Sequence, residues 1–525
     1  VYNFSLLKYK CPMLCILAIL SCSFILFHPA YGLGQKATPV PQKAAIKSKK
    51  NVTKPTTIAE LPDVIWPPIL WPKEGVTFHR LKSKQTNDIA DLKSTPTVLI
   101  VGGIQGDEPG GFSAASLLVT NYTITKGEVW VVPSLNFNSM VTRNRGTLGD
   151  MNRKFAYISK DDPDKEIIQH IKVLIEQPEV SLVLNLHDGS GFYRPQHEDD
   201  LHSPKRWGQS LIIDNTIMKD SSHKVDLEKL GSEVLSEVNK RLVKPEHRLY
   251  LHNTRTPAGN KEMEKTLSYY AYLKGKPAFG LEASKEFSTE YRAYYHLLMI
   301  EAFLKQYNVE FKRDFSLTPK GILAALNRDV KLSAEENRIV LPLENARQLI
   351  TMLPMKKRTD SDLKPSKPIM TVIQKNNSYQ ILYGNRFLTQ VKPVFMDFDN
   401  SLNEVEIVVD DMKKKVKFGE VLKVGSTFSV SEIKGIRVNA IGAQKGDPKR
   451  NGCESGVVLT KKDFIESYSV DNAANLYRIE LYKGKAFAGM ILIDFSKKQT
   501  RQEKTATLNK GVLSEQKGQE NSLGF

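Results

Sequence analysis

TVLIVGGIQGDEPGGFSAASLLVT, residues 97–120, is the stretch whose reading decides the fold. Val98 to Val101 is a short, β-branched apolar run, which predicts a strand buried on both faces, and Gly102-Gly103 ends it. Pro109 suits a first helical position, and Phe112, Ala115 and Leu118 then recur at roughly helical spacing. Gln105 and Glu108 therefore fall between the carboxyl end of a strand and the start of a helix, where open α/β sheets hold ligands. A Gln-x-x-Glu turn alone is usually a solvated polar loop, so the rest of the chain has to decide.

The same alternation continues on both sides. Strands are predicted at 129–132, 182–186, 249–252 and 278–281, and helices at 164–176, 226–242 and 288–307, with Ser288 placed to cap the last. Within that last helix Tyr291, Tyr294, Tyr295, Leu298 and Ala302 share helical spacing and read as packing residues. The pattern predicts an α/β domain over residues 63–308 with a largely parallel or mixed sheet. After Asn308 long helices give way to short alternating runs such as SYQIL (378–382), EVEIVV (404–409) and YRIELY (477–482). These predict two small β domains, 309–402 and a sandwich-like 403–496, with a break near Phe398 to Asn403; one elongated β domain is the alternative.

Formal net charge is +17 over 525 residues, which favours acidic partners such as nucleic acid, anionic lipid or an anionic wall polymer. The charge is spread along the chain, and no helix-turn-helix, finger or aromatic RNA-binding signature accompanies it, so nucleic acid is set aside. Residues 1–32 have the form of a secretory leader: Lys8 and Lys10, an apolar core from Met13 to Phe27, and Ala30-Tyr31-Gly32 at the cleavage site. Export to the periplasm is expected, with no membrane span left after cleavage, because the apolar core is short for a spanning helix. Three of the four cysteines lie in that leader, and Cys453 is left without an intramolecular partner. Removing Lys8 and Lys10 lowers the charge to +15 (17 minus 2). Residues 33–62 read as a flexible linker rich in Lys, Pro, Ala and Thr, and 497–525 as a disordered tail.

Three further segments carry chemistry. Leu182 to Leu186 leads into His187-Asp188-Gly189, and a neutral imidazole at a sheet edge is a common metal ligand. Ala278 to Leu281 leads into Glu282, which escapes burial only by pointing into a pocket and there suits a general base. Between the Gln105-Glu108 turn and His187, NFNSMVTRNRGTLGDMNRKF (136–155) places Arg143, Arg145 and Arg153 in a loop, where a guanidinium fork can bind a carboxylate or a developing oxyanion.

The order Gln105-x-x-Glu108, Arg145, Asp150-Met151-Asn152-Arg153, His187, Glu282 resembles the zinc carboxypeptidase family, whose motif is His-x-x-Glu, Arg, Asn-Arg, His and a catalytic Glu. Gln105 stands where that family has histidine. This departure, with HDGSGFYRP (187–195) and PKRWGQSLIID (204–214), resembles the periplasmic D,L-carboxypeptidases that trim peptidoglycan tripeptides and set helical cell shape. The resemblance covers about residues 80–495 and implies a mixed-sheet zinc carboxypeptidase domain followed by two β domains. It implies Zn2+ held by Gln105, Glu108 and His187, Glu282 as the base, Arg145 at the oxyanion, and Asn152 and Arg153 on the substrate's terminal carboxylate. Arg143 matches no position of the motif. The implied substrate is un-crosslinked muramyl tripeptide, cut to dipeptide with loss of meso-diaminopimelate; peptidoglycan muropeptides are the implied partner. An amide oxygen is a weaker zinc donor than imidazole, so zinc is expected to bind less tightly. Two other functions fit parts of the pattern: a deacylase of the succinylglutamate or aspartate type, and an inactive wall-binding scaffold.

Overall fold

Val98 and Ile100 face one side of a sheet while Leu99 and Val101 face the other, and all four are fully buried. The structure is a computed structural model that describes residues 77–83, 96–219, 224–357, 363–446 and 452–496. The expected leader, linker and tail lie outside the described residues.

Seven strands build the central sheet: β1 (His79–Lys82), β2 (Thr97–Val101), β3 (Glu128–Val132), β4 (Val180–Gly189), β5 (Ser210–Ile213), β6 (Tyr250–Asn253) and β7 (Ala278–Ser284). Their order is β1-β3-β2-β4-β7-β5-β6. The four central strands are mutually parallel; β1 runs against β3, and β5 runs against β7 with β6 parallel to it. The sheet is therefore mixed. Helices α1 (Pro109–Asn121), α3 (Leu227–Val238) and α5 (Thr289–Gln306) cover one face, and α2 (Lys165–Ile175) and α4 (Leu267–Leu273) cover the other. Ile168, Ile171 and Ile175 of α2 recur at helical spacing against Leu99, Val101 and Val183. Each fully buried aliphatic side chain contributes about 1.5–3 kcal/mol, so both faces favour this register.

Several boundaries differ from expectation. Strands β4 and β7 run past Leu186 and Leu281 to Gly189 and Ser284, because pairing between them continues in register. Helix α3 stops at Val238 and tightens into a 3-10 turn, Asn239–Arg241. Ser288 precedes α5 without capping it; its hydroxyl donates to the Glu290 carboxylate instead. Strand β5, inside the quoted segment 204–214, was not anticipated.

Beyond α5 a short helix, α6 (Pro319–Asn327), precedes the β region. Four strands, Leu349–Met355, Met370–Lys375, Ser378–Tyr383 and Arg386–Phe395, form one sheet, whose apolar side chains share a single core with the α/β part. Two four-stranded sheets near the carboxyl end enclose a second core that includes Ile407, Phe428, Ile479 and Ile493. Strands Leu476–Lys483 and Ala486–Asp494 are buried on both faces: Ile479 and Ile493 enter that second core, while Leu476 and Leu492 enter the first. Cys453 is free and partly buried.

Candidate active site

The turn after β2 leaves no space for side chains at its glycines. A Cβ on Gly106 would sit 1.9 Å from the Ser139 carbonyl group, and this close approach folds Gln105 and Glu108 inward. Both are buried, and Pro109 opens α1 immediately after them.

Glu282 pairs in register with His187 on the adjacent parallel strand, so the two side chains share one face of the sheet. His187 Nδ1 lies 3.1 Å from Gln105 Oε1 and 3.0 Å from Glu108 Oε2. Its Nε2 lies 2.8 Å from Asn185 Nδ2 and 3.4 Å from Asn152 Nδ2. The Asn185 Oδ1 is buried without a partner; turning that amide over would let Oδ1 accept from Nε2–H and leave the Nδ1 lone pair free. Behind His187, the fully buried Asp188 accepts from Gly110 N at 2.8 Å, His296 Nε2 at 3.0 Å and Arg292 Nη1 at 3.3 Å. Those bonds tie α1 and α5 to β4 and hold the histidine in place.

Asp150 organises the opposite wall. Gln105 Nε2 donates to both of its oxygens, at 2.8 and 3.0 Å, which turns Oε1 toward His187. The same carboxylate accepts from Arg145 Nε at 3.0 Å and, as N-cap of the 3-10 turn Met151–Arg153, from Asn152 N at 3.0 Å. Burial would raise its pKa, but the Gln105 hydrogen bond and then the Arg145 and Arg153 charges hold it below the ordinary value. Sequence reasoning quoted Asp150 and assigned it no role; its place just ahead of Met151-Asn152-Arg153 was the available signal.

All seven predicted site residues, Gln105, Glu108, Arg145, Asn152, Arg153, His187 and Glu282, line one pocket of about 360 Å³. Asn152 Oδ1 accepts from Leu267 N at 2.9 Å. Arg153 is anchored on the Asn152 carbonyl at 3.1 Å and near Glu262 at 3.5 Å. The half-exposed Arg145 reaches Glu108 Oε1 at 3.4 Å. Trp207 and Lys285 also line the pocket, and sequence reasoning named neither as a site residue. Arg143 does not; in a left-handed conformation, it donates from Nε to Asn385 O at 2.6 Å.

Burial, and then the Glu108 and Asp188 carboxylates, push Glu282 well above the ordinary carboxylate range, against Arg145 and Lys285. Its Oε2 is buried without a partner. A cation between Glu108 and Glu282 would relieve both conditions. Among the described residues, no three His, Cys, Asp or Glu side chains group as metal ligands. The trio at His187 Nδ1 is completed only by an amide oxygen, a donor set of one nitrogen and two oxygens that fits a divalent ion.

The chain matches a family described as "Carboxypeptidase controlling helical cell shape catalytic" over residues 65–327 and "C-terminal domain of metallo-carboxypeptidase" over residues 398–496. Among solved structures, apo cell shape determinant protein Csd4 from Helicobacter pylori is 38% identical with a TM-score of 0.70, over 80% of this chain and 100% of that one. Its mDAP-bound form, described as a D,L-carboxypeptidase, matches with the same identity, TM-score and coverage. The tripeptide-bound form has a TM-score of 0.69 at 38% identity, again over 80% of this chain and 100% of that one. No curated protein matches this chain.

Proposed function

This chain belongs to the carboxypeptidase family that controls helical cell shape, and from that premise we propose that it is a zinc-dependent D,L-carboxypeptidase removing meso-diaminopimelate from un-crosslinked muramyl tripeptide. The observation that carries the reading is the convergence of Gln105 Oε1 and Glu108 Oε2 on His187 Nδ1, with Glu282 in register beside the histidine. The tripeptide and mDAP named in the bound forms of the Helicobacter pylori relative support the substrate class.

In this reading Gln105, Glu108 and His187 hold zinc, which when bound acts as a Lewis acid toward the scissile carbonyl and acidifies water. Glu282 takes a proton from the attacking water onto its carboxylate and delivers it to the leaving amine; a raised proton affinity suits it to that shuttle. Arg145, open to the pocket on one side and held by Asp150 on the other, presents N–H donors to the developing oxyanion. Arg153 offers its fork, and Asn152 its amide, to the terminal carboxylate of the departing residue. Gln105 and neutral histidine carry the same charge, so the site keeps its electrostatic balance while binding zinc more weakly.

The enzyme acts in the periplasm, delivered by the leader of residues 1–32. Among the described residues no helix is long and apolar enough to cross a membrane. Boundaries at 63–308, 309–402 and 403–496 belong to the same reading.

The test incubates the protein with purified muropeptides and, separately, with acylated amino acids, with and without chelator, and reads the products by mass spectrometry. Chelator-sensitive release of diaminopimelate from tripeptide, restored by zinc, is expected. Muropeptide binding without turnover would refute the reading in favour of a scaffold, and turnover of acylated amino acids alone in favour of a deacylase.

A further inference from the structure

Lys285 is a cation in the pocket for which the mechanism above has no use. It follows β7 directly, and its backbone N–H donates to Gly189 O at 2.7 Å, which pins the ends of β4 and β7 together. The side chain is 28% exposed, with Nζ 2.5 Å from Asp107 Oδ2 and 3.7 Å from Glu108 Oε1. Arg145 approaches that same Glu108 oxygen, whereas Glu108 Oε2 faces His187. The pocket cations thus fall into two groups: Arg153 with Asn152, and Lys285 with Arg145 beside Glu108. An ammonium has three donors, and Asp107 takes one within hydrogen-bond distance.

The substrate's chemistry supplies a match. In the muramyl tripeptide proposed above as substrate the bond cut joins D-Glu to meso-diaminopimelate, so on that reading the acyl-side residue is glutamyl, a dicarboxylic acid. Joined to the leaving residue through either carboxyl, it keeps the other free, a few bonds from the reacting carbonyl. That anion cannot enter a half-buried pocket without a partner. We propose that Lys285 binds this free glutamyl carboxylate and so makes the enzyme select a carboxylate over an amide at the acyl-side residue. The proposal rests on the muramyl tripeptide reading and assigns the residue that recognises the acyl side.

Two tripeptides separate the possibilities: one with the free glutamyl carboxylate, and one in which that carboxylate is a primary amide. The wild type is expected to favour the carboxylate form on the order of tenfold in kcat/KM, the scale of a charged hydrogen bond. Lys285→Met should abolish that preference, mainly by raising KM for the carboxylate form, with zinc content unchanged; Lys285→Arg should restore it. A purely structural loss would lower both substrates in proportion and leave the ratio intact. Should Lys285→Met turn over neither, calorimetric affinities for the two dipeptide products read the same ratio without turnover. A wild type indifferent to amidation, or a Lys285→Met variant that keeps the full ratio, overturns the proposal. Cleavage of neither substrate by wild type would instead overturn the function on which it rests.

Discussion

Replacing Asp150 by alanine removes the acceptor that orients Gln105. Two contacts of 2.8 and 3.0 Å currently hold the Gln105 amide nitrogen on a carboxylate whose side chain is 20% exposed. Their loss frees the amide to rotate or to offer its nitrogen, which cannot ligate a cation, to the position of Oε1. A hydrogen bond to a charged group contributes about 1.5–3 kcal/mol, and losing an outer partner of a metal ligand costs about 10–100-fold in metal affinity. Asp150→Ala should therefore weaken zinc binding about 10–100-fold, measured by competition against a chromophoric chelator at constant pH. Asp150 also caps the turn Met151–Arg153, so the effect needs a second arm. If Asp150 acts through Gln105, the double variant Gln105→Ala/Asp150→Ala should bind zinc no worse than Gln105→Ala alone. Additive losses, or an unchanged zinc Kd in a folded Asp150→Ala, would refute the reasoning.

Glu282→Gln should retain zinc and lose about 10²–10⁴-fold in kcat, checked by metal analysis beside tripeptide turnover. Asp214, its pKa pushed by burial up to about 6 against hydrogen bonds from Thr256, Thr254 and Ser268, favours folding while protonated. Its contribution is full below the unfolded carboxylate pKa near 4 and is lost as pH rises through about 6, on the order of 3 kcal/mol. Urea unfolding at pH 4.0 and 7.5 (approximate settings chosen to bracket the ordinary and shifted values) should show Asp214→Asn losing that part of the wild-type pH dependence; parallel profiles would contradict it. Gly384 has φ +57°, and a Cβ there would meet Phe112 at 2.6 Å, so Gly384→Ala should cost about 1–3 kcal/mol in the urea midpoint; an unshifted midpoint would mean that the contact relaxes freely.

Much of the fold is legible because burial writes itself into short apolar runs. Val98 to Val101, Val129 to Val132 and Leu182 to Leu186 are strands buried on both faces, and their composition says so. Strand β1, reading HRLK at a sheet edge, alternates between half-buried and exposed and has no such signature. Strand β5 is four residues long and antiparallel to β7, an orientation that no local pattern encodes. The site residues were legible as a spaced motif, while their supports were not. Asn385 Nδ2 reaches the Gly106 carbonyl at 3.4 Å and Asn385 O receives Arg143, bringing the β region against the catalytic turn across more than two hundred residues.

The sequence by itself determined the chemical inventory: a turn with an amide and a carboxylate, a histidine and a glutamate after apolar strands, and arginines between. These follow from residue type and spacing, which are local properties. Tertiary structure alone decided that His187 presents Nδ1 to Gln105 and Glu108, that Asp150 sets the face of the Gln105 amide, and that Lys285 joins Arg145 beside Glu108. The physical reason is that these contacts, between 2.8 and 3.7 Å, depend on the register of β4 with β2 and β7. Register is set by packing on both faces of the sheet, and a slip of one residue would turn His187 away from the pocket.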